Sequence, residues 1–249
     1  MGFLLFPVLA AAVISGLHAR FRNLPIAVQA AHVIFAALIY FGIELASLLG
    51  TLNSKAIFFA CLSAIVPPAY LSSKLAWPGG KFPKLDLRFA VLFSVLFLLL
   101  LIALFSPPNT WDSMAYHMTR VFFWEQNGSI AHFATANSRQ LSHQTLAEYY
   151  ILFFRLLEGG GDHTANLPQY LSLLMVLLAA WEISKKIGLN SKESYLALGL
   201  ILSCPAILHQ STSTQNDLSV AGFMLIGLNF VLEKRDFSLL AAFSFACAA

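Results

Sequence analysis

Charge is scarce in this chain. Of its 249 residues only 11% are charged, against roughly 25% in ordinary soluble domains. Hydrophobic residues make up 58%, and the mean hydropathy is +0.73. These values exclude an ordinary soluble domain and predict a polytopic membrane protein. The net charge of +3 is spread over short loops, with no basic cluster carrying interleaved aromatics, so no nucleic-acid partner is expected. Cysteine is also sparse: Cys61, Cys204 and Cys247 each lie in an apolar run without metal-ligand spacing, which predicts neither disulfides nor a zinc site. The first apolar run, Gly2 to Leu17, has no basic residue ahead of it and no small-residue cleavage site behind it. It reads as a membrane anchor rather than a signal peptide. No internal repeat or low-complexity tract stands out.

What the chain has is long apolar runs. Spans are expected over about 2–17, 25–50, 55–73, 87–106, 164–184, 194–210, 216–232 and 237–249, the last shorter than the roughly 20 residues of a comfortable crossing. Eleven of the fifteen Lys and Arg residues (Arg20, Arg22, Lys74, Lys81, Lys84, Arg88, Lys185, Lys186, Lys192, Lys234 and Arg235) fall in loops that alternate spans place on one side. The positive-inside rule makes that side cytoplasmic. Segments 107–163 and 211–215 then face outward. The run Ala147 to Leu157 is only about half a span long, with Glu148, Arg155 and Glu158 at or near its ends. It is expected to lie along the outer interface with its tyrosines and phenylalanines among the headgroups, and Gly159, Gly160 and Gly161 let the chain turn into the next span. The expected fold is all-α, a polytopic transmembrane helix bundle with an outer-face loop containing interfacial helices. Residues 1–80 supply three leading helices, and 81–249 a second unit carrying the outer loop 107–163.

The densest chemistry lies where lipid ends, in Ser106-Pro107-Pro108-Asn109-Thr110-Trp111-Asp112-Ser113-Met114-Ala115-Tyr116-His117-Met118-Thr119-Arg120. The prolines end the membrane helix. Asn109 is expected to cap a new one, with Asp112 at its third position, where an acid also suits the helix macrodipole. Tyr116 and Arg120 follow Asp112 at successive spacings of four, on one broad face. A second acid, Asp217, opens a later helix on the same side, where Thr214 with Asp217 also fits a capping pattern. His117, His132, His143, His163 and His209 are predicted outward or near that face without the pairing of a metal motif. Asn127-Gly128-Ser129 fits a glycosylation sequon.

The segment from Pro107 through Trp111-Asp112, Tyr116-His117 and Arg120, followed by an amphipathic outer helix and Asn216-Asp217, resembles the GT-C membrane glycosyltransferases, closest to bacterial members with a W-D-x-x-x-Y-H-x-x-R signature. These enzymes, protein O-mannosyltransferases among them, take sugars from polyprenyl-phosphate or polyprenyl-diphosphate donors. The resemblance covers about residues 87–235. It implies a multi-pass protein of the bacterial inner membrane with an active site on the periplasmic face. The donor would be a polyprenyl-phosphate sugar, the acceptor a glycan, lipid or protein, and no cofactor would be needed. It implies Asp112 and Asp217 as catalytic acids, Asp112 being the base, with Trp111, Tyr116, His117 and Arg120 binding substrate and Trp124 a further stacking surface. Among the cations Arg120 or His117 would meet the phosphate, ahead of Arg139 and Arg155. The chain departs from the family in its three leading helices, in ending before the later helices and C-terminal region, and in lacking Asp-x-Asp, so a metal requirement is not carried over. A transporter or flippase, for which Glu44 and Pro67-Pro68 are the candidate intramembrane features, and an inactive membrane scaffold are the alternatives.

Overall fold

The computed structural model describes residues 5–21, 23–53, 55–57, 87–233 and 236–249, and every regular element among them is helical. The expected span 55–73 lies almost wholly outside these residues, and so do the loop 77–84 and the boundary near residue 80.

Helix α1 (Leu5–Phe21) packs on α2 (Leu24–Leu48). Asn23 starts α2 by accepting the Ile26 amide at 3.2 Å, with a proline in the first turn. Helix α3 (Leu87–Phe105) is nearly pure hydrocarbon and mostly exposed along its length. A single π-turn (Ser113–His117) leads into α4 (Met118–Asn127), followed by the short α5 (Arg139–Ser142) and by α6 (Leu146–Glu158). Helix α7 (Leu167–Lys186) returns through the bundle. The expected span 194–210 is two helices, α8 (Ser191–Leu202) and α9 (Pro205–Ser211), bent by 74°. The break falls at Pro205, whose ring cannot continue a helix in register. Helices α10 (Asp217–Val231) and α11 (Ser238–Ala248) close the chain and pack on each other. Among the described residues three helices, α2, α3 and α7, are long and apolar enough to cross a membrane, and the bent pair α8–α9 makes a fourth candidate.

The helix ends sort into two ends of the bundle. At one, Ser47 bonds Ser129, Asn166 donates to the Ser106 carbonyl at 2.8 Å, and Gln215 reaches Thr110 at 3.2 Å. Near the other, Lys186 donates to the Asn229 carbonyl and pairs with Glu233, each at 2.8 Å. This antiparallel order is what alternating spans require, and it gathers segments 107–163 and 211–217 at a single end.

Helix α6 departs from its expected place in an interface. Eleven of its thirteen residues are buried, and it packs against α2, α4 and α7. Tyr149, Tyr150, Phe153 and Phe154 sit in the main core with Ile39, Ile43, Val121 and Phe223. Burial of Glu148 and Arg155 along with its apolar residues is tolerable because these charges are paired inside the protein. Arg155 spans Glu125 at 2.8 Å, Asp162 and the carbonyls of Gly160 and Gly161. Gly159 and Gly160, at φ of 95° and 96°, supply the left-handed turn that ends the helix. Helix α2 belongs to the same core, and the Asn229 side-chain amide donates to Gln29 at 2.8 Å, so the leading helices and the second unit form one packed body.

Candidate active site

Thr110, not Asn109, starts the helical stretch after the prolines. Its hydroxyl accepts the Ser113 amide at 3.2 Å and its carbonyl the Met114 amide at 3.0 Å. The Asp112 carboxylate makes no capping hydrogen bond. The capping use of an acid in a first turn is therefore absent, although Asp112 still sits where the helix macrodipole favours a negative charge. Asp112 instead faces Arg139, Nη1 to Oδ1 3.7 Å, with the two side chains 43% and 57% exposed. That degree of exposure leaves both open to a ligand.

The π-turn redirects everything after Asp112. It adds a residue to the turn, and the Ala115 carbonyl inside it accepts the side-chain amides of Asn137 at 3.0 Å and Gln140 at 2.9 Å. The expected common face of Asp112, Tyr116 and Arg120 is broken. Arg120 is 1% exposed and points inward. Its guanidinium donates to the carbonyls of Gln140 (2.6 Å), His143 (3.0 Å), Gln144 (3.2 Å) and Arg139 (3.0 Å), and to Glu148 at 3.3 Å. His117, expected outward, is fully buried with Nδ1 2.9 Å from the same carboxylate. Neither can meet a substrate phosphate without leaving that cluster. They clamp loop 139–144 to α6, and the loop in turn delivers Arg139 to Asp112.

Tyr116 is buried within reach of the acids' charges. Burial first, then the carboxylates of Asp112, Asp217 and Glu148, raise its phenol above the ordinary value, and Arg139 opposes them. Asp112 and Asp217, far apart in sequence, thus act on one hydroxyl group, which stays protonated and able to donate. The Arg139 guanidinium sits 5.8 Å from the same ring. Asp217 opens α10 without capping it. The N-cap position is Asn216, and no side-chain bond closes it. Its carboxylate accepts the side-chain amide of Gln210, while the Thr214 hydroxyl, expected to pair with it, is buried without a partner. The Thr110–Gln215 bond fastens the two acid-bearing segments together, and Gln169 of α7 donates to the Gln215 carbonyl.

Of the predicted substrate contacts, Trp111 is 83% exposed and Tyr116 borders the acids. Trp124 is buried against Tyr149. Asn127 is exposed in the last turn of α4, which Gly128 closes in a left-handed conformation. No group of histidine, cysteine and carboxylate side chains suited to a metal ion occurs among the described residues. Gln210 and Glu148 are the members that the sequence pattern missed, and Arg139, ranked there behind Arg120 and His117, is the cation that stands beside Asp112. For Glu148 a signal existed, since a carboxylate in an apolar run asks for a buried cation and Arg120 lies in the same outer segment. No family model, curated protein or solved structure matches the chain.

Proposed function

We propose that the chain is a membrane glycosyltransferase that moves a sugar from a polyprenyl-phosphate donor to an acceptor hydroxyl at the end of the bundle carrying Asp112 and Asp217. The observation that carries this proposal is the placing of the half-exposed Asp112 beside Arg139 at 3.7 Å, on a segment that the Thr110–Gln215 bond ties to the one carrying the exposed Asp217. Asp112 takes the proton of the acceptor hydroxyl as that oxygen bonds to the anomeric carbon. The bond from that carbon to the phosphate oxygen breaks, and polyprenyl phosphate leaves as an anion. Asp217 stabilises the positive charge that develops on the sugar ring. Arg139 takes the phosphate role first assigned to Arg120 or His117, since a guanidinium offers a two-pronged donor to phosphate oxygens. Trp111 offers its open face to a sugar ring.

The test is sugar transfer in membranes expressing the chain, using a panel of polyprenyl-phosphate sugars and glycan, lipid and protein acceptors. Asp112→Asn is expected to lose about 10²–10⁴-fold, the usual worth of a positioned base. Equal rates in wild type and variant at equal expression would refute the assignment. Transport is the second reading, favoured by the 74° break between α8 and α9 and by the buried Gln29–Asn229 pair inside the bundle, both features of substrate paths through membranes. Solute flux in proteoliposomes without sugar transfer would select it.

A further inference from the structure

A second site lies across loop 139–144 from the acids. A basin of about 610 Å³, floored by Arg120, Trp124, Gln140 and Tyr149, opens between the C-terminal end of α2 and the loop after α4, with Glu44 on its wall and Ala131 on its rim. Its size falls within the range of about 300–1,000 Å³ usual for small-molecule sites.

The chemistry of the lining narrows the ligand. Arg120 is the one arginine or lysine among the described lining residues. Four carbonyls and Glu148 already occupy four of its five N–H directions, leaving one Nη2 hydrogen, and its charge is balanced by that buried carboxylate. The other basic lining group, His132, is an exposed rim residue. A phosphate or carboxylate would thus find no free cation among the described lining residues and would face the Glu44 carboxylate. Glu44 is in no ion pair among the described residues; it accepts the Tyr149 hydroxyl at 2.8 Å on Oε1. A hydrocarbon ligand would strip water from Glu44 without replacing its hydrogen bonds. Sugar hydroxyls meet both demands, donating to the Glu44 carboxylate and bonding the hydroxyls of Ser47, Ser129 and Thr145 in the lining.

We propose that this basin binds a neutral saccharide unit, with Glu44 as its principal acceptor. The site stands independently of glycosyl transfer at Asp112. The test uses the full chain in lipid nanodiscs, which, unlike alkyl glycoside detergents, bring no competing sugar headgroup. Methyl glycosides of glucose, mannose and galactose are added at pH 8, and saturation-transfer NMR reads contact with the protein. At least one glycoside is expected to receive saturation. Ala131→Trp, which fills the basin from an exposed position, is expected to weaken binding at least about tenfold by occupying its volume. Glu44→Gln keeps an acceptor for Tyr149 but removes the charge, and is expected to weaken binding about three- to tenfold, the difference between charge-assisted and neutral hydrogen bonds. The absence of saturation in wild type, equal binding in folded Ala131→Trp, or displacement of the glycoside by inorganic phosphate overturns the proposal.

Discussion

Arg120→Met separates a structural clamp from a substrate contact. Arg120 is 1% exposed and gives its hydrogen bonds to four loop carbonyls and Glu148. Methionine fills much of the side-chain volume but leaves the Glu148 carboxylate buried with only His117 beside it. Breaking a buried pair by removing one partner costs about 3–5 kcal/mol, which at roughly 2–4 °C per kcal/mol for a chain of this size lowers Tm by about 6–20 °C. The loss acts locally too, because loop 139–144 is freed from α4 and Arg139 no longer stands beside Asp112. Thermal unfolding in nanodiscs, read by circular dichroism, measures the first effect, and limited proteolysis after Arg139 the second. Combining Arg120→Met with Glu148→Leu is expected to restore part of the lost Tm, since no uncompensated charge then remains in the core. An Arg120→Met protein with unchanged Tm and an intact loop, impaired only in phosphate-donor binding, would refute the clamp and return Arg120 to the substrate.

Arg139→Gln is expected to leave Tm within about 1–2 °C of wild type, as for most exposed substitutions, and, under the proposed reaction, to lower kcat/KM for the lipid-phosphate donor by about 10–100-fold through loss of a charged donor; unchanged kinetics would remove Arg139 from the site. Thr110→Ala deletes both the cap on Ser113 and the bridge to Gln215, so chemical denaturation should show a loss of about 1–2 kcal/mol. Gly227→Ala puts a methyl 2.7 Å from the Phe245 ring between α10 and α11, and is expected to destabilise by about 1–3 kcal/mol, with Phe245→Leu relieving the cost when combined. Tyr116 has its phenol value raised in the folded state, so its contribution to stability is complete below the unfolded value of about 10 and falls as pH climbs from there through the raised folded value. Tm measured across that alkaline range should decline less steeply in Tyr116→Phe than in wild type.

Helix positions and the gathering of segments 107–163 and 211–217 at one end were legible in the residues, because both follow from local quantities. An apolar run becomes a helix and the prolines at 107–108 end one, whereas the break at Pro205 inside the run 194–210 was not anticipated. Which side chains meet was not legible. The period of four from Asp112 through Tyr116 to Arg120 assumed an unbroken α-helix, and the π-turn over Ser113–His117 turned His117 and Arg120 into the core. Helix α6 looked interfacial by length and composition, yet Glu148 and Arg155 find buried partners from 28 and 30 residues away, which lets it sit at the centre of the bundle. Local sequence sets where helices begin and end, since those energies are summed over near neighbours. The pairing of charges depends on which helix faces touch, so only the tertiary structure decided that Arg139 would stand beside Asp112 and that Arg120 would hold it there.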